Sequence, residues 1–259
     1  MSAALILAGT RPGGDPFANE LGIAHKALIK INGTSLLERV VEALKASAVT
    51  SIAICCDEGP VGDLARQLGL RIISPAEGPS TSVAKAFDIL GAPLLVTTSD
   101  HALLQPAWID ELIEKTPAFA DLSIMLAERE RVEAAMPDSK RTYLRFADGD
   151  WSGCNLFYLR TSTARKALDT WALVEADRKR PWRIAARLGV ATLAAMLLRR
   201  LTMAEGLARL GDRVGVKAAL VAASDGLAAV DVDKHADLDA VRAVLSGDNK
   251  GTSPSVSSR

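Results

Sequence analysis

The chain has 259 residues, 49% of them hydrophobic and 24% charged, which is enough to bury a full core and rules out a small disulfide-stapled fold. Lys plus Arg number 31 and Asp plus Glu number 31, so there is no global positive field to hold a phosphate backbone, and nucleic acid is not the expected partner. Aromatics make up only 4%, and the Ala, Leu, Val and Ile that carry the apolar content suit a sheet covered by helices.

Residues 1–9, Met-Ser-Ala-Ala-Leu-Ile-Leu-Ala-Gly, lack the basic start of a signal peptide and read as a first strand. A glycine- and proline-rich loop follows, containing Arg11, Pro12, Gly13, Gly14, Asp15 and Pro16. Residues 27–31 lead into an Asn32-Gly33 turn. Ser35 with Glu38 three residues on predicts a capping box opening a helix whose apolar face is Leu36, Leu37, Val40, Val41 and Leu44. Then come a strand over 51–56, a helix over 61–68, a strand over 70–73, a helix over 82–90 and a strand over 93–98. This rhythm predicts an α/β fold built on a parallel sheet with right-handed crossovers.

The second half is less regular. Strands are expected over 121–127, 141–146 and 154–159, then a helical excursion over about 161–212. Strands near 214–221 and 227–232 and a helix over 235–245 close the domain. Residues 1–245 therefore form one domain, and the Ser/Gly-rich residues 246–259 read as a disordered tail. Cys55, Cys56 and Cys154, an odd number with one adjacent pair, predict reduced thiols and a cytoplasmic protein. The apolar run 188–198 is about half the roughly 20 residues that span a bilayer.

Ligands of open parallel sheets collect beyond the carboxyl ends of the strands, where loops meet helix N-termini. The loops at 9–14, 75–82 and 99–101 should therefore share one rim. The first of them, Leu7-Ala8-Gly9-Thr10-Arg11, offers a glycine where backbone can approach a phosphate, with a cation beside it. It is neither a P-loop nor a dinucleotide fingerprint.

Together with His25-Lys26-Ala27-Leu28 and Gly33-Thr34-Ser35-Leu36-Leu37, this loop resembles the signature of the nucleotidyltransferase superfamily with a glycosyltransferase-A-like fold. That signature reads L-A-G-G-x-G-x-R, then P-K-x-L, then G-x-P-L-L. The small members are the most similar, such as molybdenum-cofactor guanylyltransferases and methylerythritol-phosphate or sugar-acid cytidylyltransferases. The resemblance covers most of residues 3–100 and returns over 228–245. It implies a three-layer α/β/α sandwich with a mostly parallel, Rossmann-like central sheet. It also implies transfer of an NMP group from a nucleoside triphosphate, CTP or GTP, to a phosphate or hydroxyl acceptor, with release of pyrophosphate.

Carried over residue by residue, the resemblance puts Leu7, Ala8, Gly9 and Thr10 around the triphosphate, with Arg11 and Lys26 as its neutralising cations. Thr97-Thr98-Ser99-Asp100 matches the strand end that holds a divalent metal, and Val232-Asp233 in the closing segment matches the second metal ligand. Asp100 and Asp233 are the expected Mg²⁺ ligands. Gly78, Ser80 and Ser82, in Gly78-Pro79-Ser80-Thr81-Ser82, match the loop that opens a helix beside base and ribose. Gly153-Cys154-Asn155 is similar to the strand that approaches the acceptor.

The chemistry independently suits such residues. Attack on an α-phosphorus brings anions together, so the barrier is mainly electrostatic and positional. Magnesium commonly takes one or two carboxylates plus substrate phosphates. The sequence departs from the pattern at Thr10, in the early position of Arg11, at His25 before Lys26, and at Lys234-His235. Asp237 is expected to cap the last helix, and His25, His101 and His235 to take surface or capping roles.

Residues 182–200, bordered by Arg and Trp, read as a helical cap over the acceptor site whose apolar face joins the core, the alternative being peripheral contact with a membrane interface. Two other readings keep the fold. A glycosyltransferase using a nucleotide-sugar would carry Asp-x-Asp where Ser99-Asp100-His101 stands. A non-catalytic nucleotide-binding protein would not need Lys26, Asp100 and Asp233 together.

Overall fold

The computed structural model describes residues 2–10, 13–137, 141–176 and 189–247. After β1 (Ser2–Ala8), Asp15 opens the short helix α1 (Pro16–Glu20) by accepting hydrogen bonds from the Phe17 and Ala18 N–H groups. A 3₁₀ turn over Lys26–Leu28 leads to the hairpin of β2 (Lys30–Ile31) and β3 (Thr34–Ser35). Its tip is Asn32-Gly33, with φ of 52° and 83°, the pair of positive angles that a tight hairpin turn needs. The Ser35–Glu38 capping box forms as expected and starts α2 (Leu36–Lys45).

The chain continues through β4 (Val49–Cys56), α3 (Pro60–Gln67), β5 (Arg71–Ile73), α4 (Pro79–Leu90), β6 (Leu94–Thr98) and α5 (Pro106–Lys115). The second half holds β7 (Leu122–Glu128), α6 (Arg129–Ala135), β8 (Leu144–Phe146) and β9 (Gly149–Leu159). Helices α7 (Arg165–Ala176), α8 (Val190–Leu197) and α9 (Met203–Arg213), strand β10 (Ala218–Ala222) and helix α10 (His235–Leu245) complete it.

The main sheet has the order β10-β7-β9-β6-β1-β4-β5, with β8 paired to β9. Strands β1, β4, β5 and β6 are parallel, and β10 is parallel to β7. Only β8 and β9 run against their neighbours. Helices cover both faces, so successive residues of a central strand are buried on opposite sides. Ile6 and Ile54 pack with Leu37, Val41, Ile109 and Val241 from α2, α5 and α10. Leu5 and Val96 pack with Val83, Phe87 and Leu168 from α4 and α7. This is the expected α/β/α sandwich.

Several expectations change. Residues 227–232 are not a strand: Gly226–Ala229 is a 3₁₀ turn, and the extended stretch after it bonds from the Val232 N–H to the Asp100 carbonyl at 3.2 Å, outside any sheet ladder. The expected strand at 141–146 is limited to Leu144–Phe146. Helices α5 and α6 lie where no helix was expected; α5 has Pro106 in its first turn, which suits a helix start. The three cysteines are unpaired and buried in strands. Among the described residues, no helix is long and apolar enough to cross a membrane. Residues 182–188 of the proposed cap and 248–259 of the tail lie outside the described residues.

Gly226 fixes the 3₁₀ turn against α6, since an added Cβ would fall on the Arg131 carbonyl and within 2.6 Å of the Val132 nitrogen. These are backbone atoms and cannot swing aside. Gly226→Ala is therefore expected to destabilise the chain by about 1–3 kcal/mol through overpacking, read as a lower urea midpoint, with the following residues 230–233 displaced.

Candidate active site

The three rim loops do meet. The Ser99 N–H donates to the Leu7 carbonyl at 3.0 Å, tying the ends of β6 and β1 together, and Gly9 lies against Pro75, where a Cβ would sit 3.4 Å from the proline ring. Leu7 and Ala8 end β1, and exposed Gly9 and Thr10 begin the loop. The Thr10 N–H donates to Asp57 at 2.9 Å. Gly13 and Gly14 have φ of 93° and 80°, which glycine alone adopts without strain. Arg11 lies outside the described residues.

Lys26 is delivered by the 3₁₀ turn that His25 caps, its Nδ1 accepting from the Ala27 N–H at 3.0 Å. Burial, then the charge of Lys26, lowers the His25 pKa. Lys26 Nζ pairs with Asp100 Oδ2 and with Asp233 Oδ1, the latter at 2.6 Å, and Asp15 Oδ2 stands 4.0 Å away. Residues from three separate parts of the chain thus converge on one ammonium. Burial works against its charge, but Asp100 and then Asp233 outweigh that and raise its pKa. Lys26 is a fixed cation, not a proton shuttle.

Asp100 is held by backbone. Its carbonyl accepts from the Ala102 and Val232 N–H groups, which locks the loop after β6 to the closing segment. Asp237 is not the cap of α10, a place that falls to Lys234. It sits in the first turn, and its carboxylate accepts from the Asp233 N–H at 3.1 Å. The helix thereby reaches back to set the residue that carries the second carboxylate.

The carboxylate pair fits a divalent cation. Asp100 Oδ1 is buried without a hydrogen-bond partner, leaving a hard oxygen available. Among the described residues no group of three or more His, Cys, Asp or Glu side chains forms a metal cage.

Beside Asp100, His101 is neither a surface nor a capping residue. It is 1% exposed and stacks on Trp108 at 6.0 Å, with the Ala228 backbone beside its ring. His235 is the surface histidine, near Glu20 at 3.4 Å.

The β9 side of the rim holds a second polar cluster. Arg141 Nη2 donates to Asp231 Oδ1 at 2.5 Å and Asn155 Nδ2 to Asp231 Oδ2 at 2.8 Å. Asn155, with φ of 51°, lies at a bulge where the β7–β9 register shifts after Met125, a geometry that re-aims a side chain. At the start of α4, Ser80 donates to Glu175 of α7, whose carboxylate also receives the Ser80 N–H at 3.3 Å and lies against Gly78. Ser82 Oγ accepts from the Ala76 N–H at 2.9 Å and closes its own loop.

Asp15, Arg141, Glu175 and Asp231 were not among the expected site residues. Asp15 before Pro16 carries a helix-start signal, and Asp231 lies two residues from Asp233 on an extended segment. Nothing local marks Arg141 or Glu175.

Burial lowers the His101 pKa to about 4. Below its ordinary value the unfolded chain takes up a proton that the folded chain refuses, so stability falls as pH drops from about 6.5 toward 4. Between pH 7 and pH 5 the loss attributable to this one group is on the order of 2 kcal/mol, and urea midpoints should fall less over that range for His101→Phe than for the wild type.

A family model described as the MobA-like NTP transferase domain matches residues 4–218. A hypothetical transferase from Thermus thermophilus is 32% identical, with 92% of this chain and 99% of that chain covered and a TM-score of 0.78. CMP:2-keto-3-deoxy-manno-octonic acid synthetase complexed with CTP is similar in fold at 17% identity, covering 95% and 99% of the two chains with a TM-score of 0.59. A 4-diphosphocytidyl-2C-methyl-D-erythritol synthase is similar at 13% identity, covering 94% and 98%, with a TM-score of 0.58. No curated protein matches the chain. The rim loops, the lysine–carboxylate centre and the match over most of the chain agree, and the chain belongs to the MobA-like NTP transferase family and is a nucleotidyltransferase.

Proposed function

We propose that the enzyme transfers an NMP group from CTP or GTP, in a magnesium-dependent reaction, to a phosphate or hydroxyl oxygen of a small acceptor. The acceptor oxygen bonds to the α-phosphorus, the bond to the β-phosphate oxygen breaks, and pyrophosphate leaves with the electron pair. The observation that carries this reading is the convergence of Lys26, Asp100 and Asp233 at the ends of β1 and β6, beside the glycine-bearing loop.

In this reading the Gly9-Thr10 backbone lies along the triphosphate, and Lys26 supplies a permanent positive charge to the transferring and departing phosphates. Asp100 and Asp233 would hold Mg²⁺, which when bound offsets the negative charge shared by nucleotide and acceptor. No side chain must become a covalent nucleophile. The Asn155–Asp231–Arg141 cluster faces the acceptor, and α4, with its N-terminus held by Glu175, borders the base and ribose. The unpaired, buried cysteines suit a reducing compartment, so we place the reaction in the cytoplasm.

Thermal shifts with CTP, GTP, ATP and UTP, each with and without Mg²⁺, test the donor, because a ligand of the native state raises its melting point by mass action. One triphosphate should give a Mg²⁺-dependent shift that Asp100→Asn abolishes. Asp100→Asn and Asp233→Asn should each lower pyrophosphate release by about 10²-fold or more while keeping the fold. Full activity in either variant overturns the metal assignment, and sugar transfer from a nucleotide-sugar without pyrophosphate release overturns the reaction.

A further inference from the structure

The ammonium of Lys26 stands where the proposed reaction needs a different cation. It contacts Asp100 and Asp233 simultaneously, and its side chain is 18% exposed. The two carboxylates come from loops far apart in sequence, and their side chains are joined by this ammonium. Without a cation between them, two nearby carboxylates repel each other. Lys26 prevents that while no other cation is present. An ammonium and a divalent cation cannot occupy Asp100 Oδ2 and Asp233 Oδ1 at once, since the space between those oxygens is taken and the ammonium repels an incoming cation.

The rim supplies the alternative. The Lys26 turn lies beside the Gly9-Thr10 loop, with the His25 side chain interacting with the Gly9 backbone. A triphosphate on that loop would offer Lys26 a new set of anionic oxygens.

We propose that Lys26 is an internal placeholder cation: it closes the Asp100–Asp233 pair against divalent ions in the free enzyme and releases it by turning to the phosphates when nucleotide arrives. This rests on the reading of Asp100 and Asp233 as metal ligands. Metal uptake is then coupled to nucleotide uptake, and by linkage each strengthens the other. The free enzyme discriminates against bare divalent ions without a separate gate.

The test uses the full chain and Mn²⁺ alone, with binding read as loss of the free-ion paramagnetic resonance signal. Lys26→Met and Lys26→Gln, both checked for wild-type circular dichroism, should bind Mn²⁺ about tenfold or more tighter than the wild type, and adding Asp100→Asn should remove the gain. Mn²⁺ affinity in both lysine variants equal to or weaker than wild type, but still lost with Asp100→Asn, overturns the placeholder and leaves the metal site standing. Mn²⁺ binding indifferent to Asp100→Asn in every background overturns both.

Discussion

A half-buried positive charge has to be matched, and in this chain the matching of Lys26 organises the site around it. Its partner Asp233 lies 207 residues away, and Asp100 lies in the loop that follows β6, the strand next to β1. Breaking a pair of this kind would leave an uncompensated charge in a site that is only partly open to water, a far larger penalty than loss of a surface ion pair. The fold must therefore bring the turn after α1, the end of β6 and the segment before α10 to one point. It does so with backbone as much as side chain: the Asp100 carbonyl takes the Val232 N–H, and Asp237 takes the Asp233 N–H.

The sheet divides the labour across this point. To one side, β1, β4 and β5 run parallel and bring the glycine loop, Asp57 and the α4 loop to a common rim. To the other, antiparallel β9 sits between β6 and β7, and its bulge places Asn155 against Asp231. The reversal of strand direction thus separates the half that bears the glycine loop from one lined by side-chain hydrogen-bonding groups. Lys26 and its carboxylates lie at the seam.

The first hundred residues were legible because their signals are local. The Ser35–Glu38 box, the Asn32-Gly33 turn and the strand spacing each require only neighbours in sequence. Lys26, Asp100 and Asp233 could be named through the family resemblance and the order of the strand ends. The second half was harder because its backbone follows tertiary partners. The apolar stretch at 227–232 looks like a strand, yet it has no adjacent strand to pair with, and its N–H groups go to a turn and a loop. His101 looked like a loop residue because nothing in Ser-Asp-His announces Trp108, seven residues on and stacked over it. Arg141 and Glu175 depend on contacts across 90 and 95 residues, beyond the reach of any periodicity.

The match to the family model ends at residue 218, whereas Asp231, Asp233 and Asp237 come after it. During synthesis, the parallel strands β1, β4, β5 and β6 and the glycine loop can be in place well before the second carboxylate has been added. Lys26 has only Asp15 and Asp100 to pair with until then. The ion-pair centre on Lys26 is therefore completed only with the closing segment that Gly226 seats and Asp237 of α10 holds.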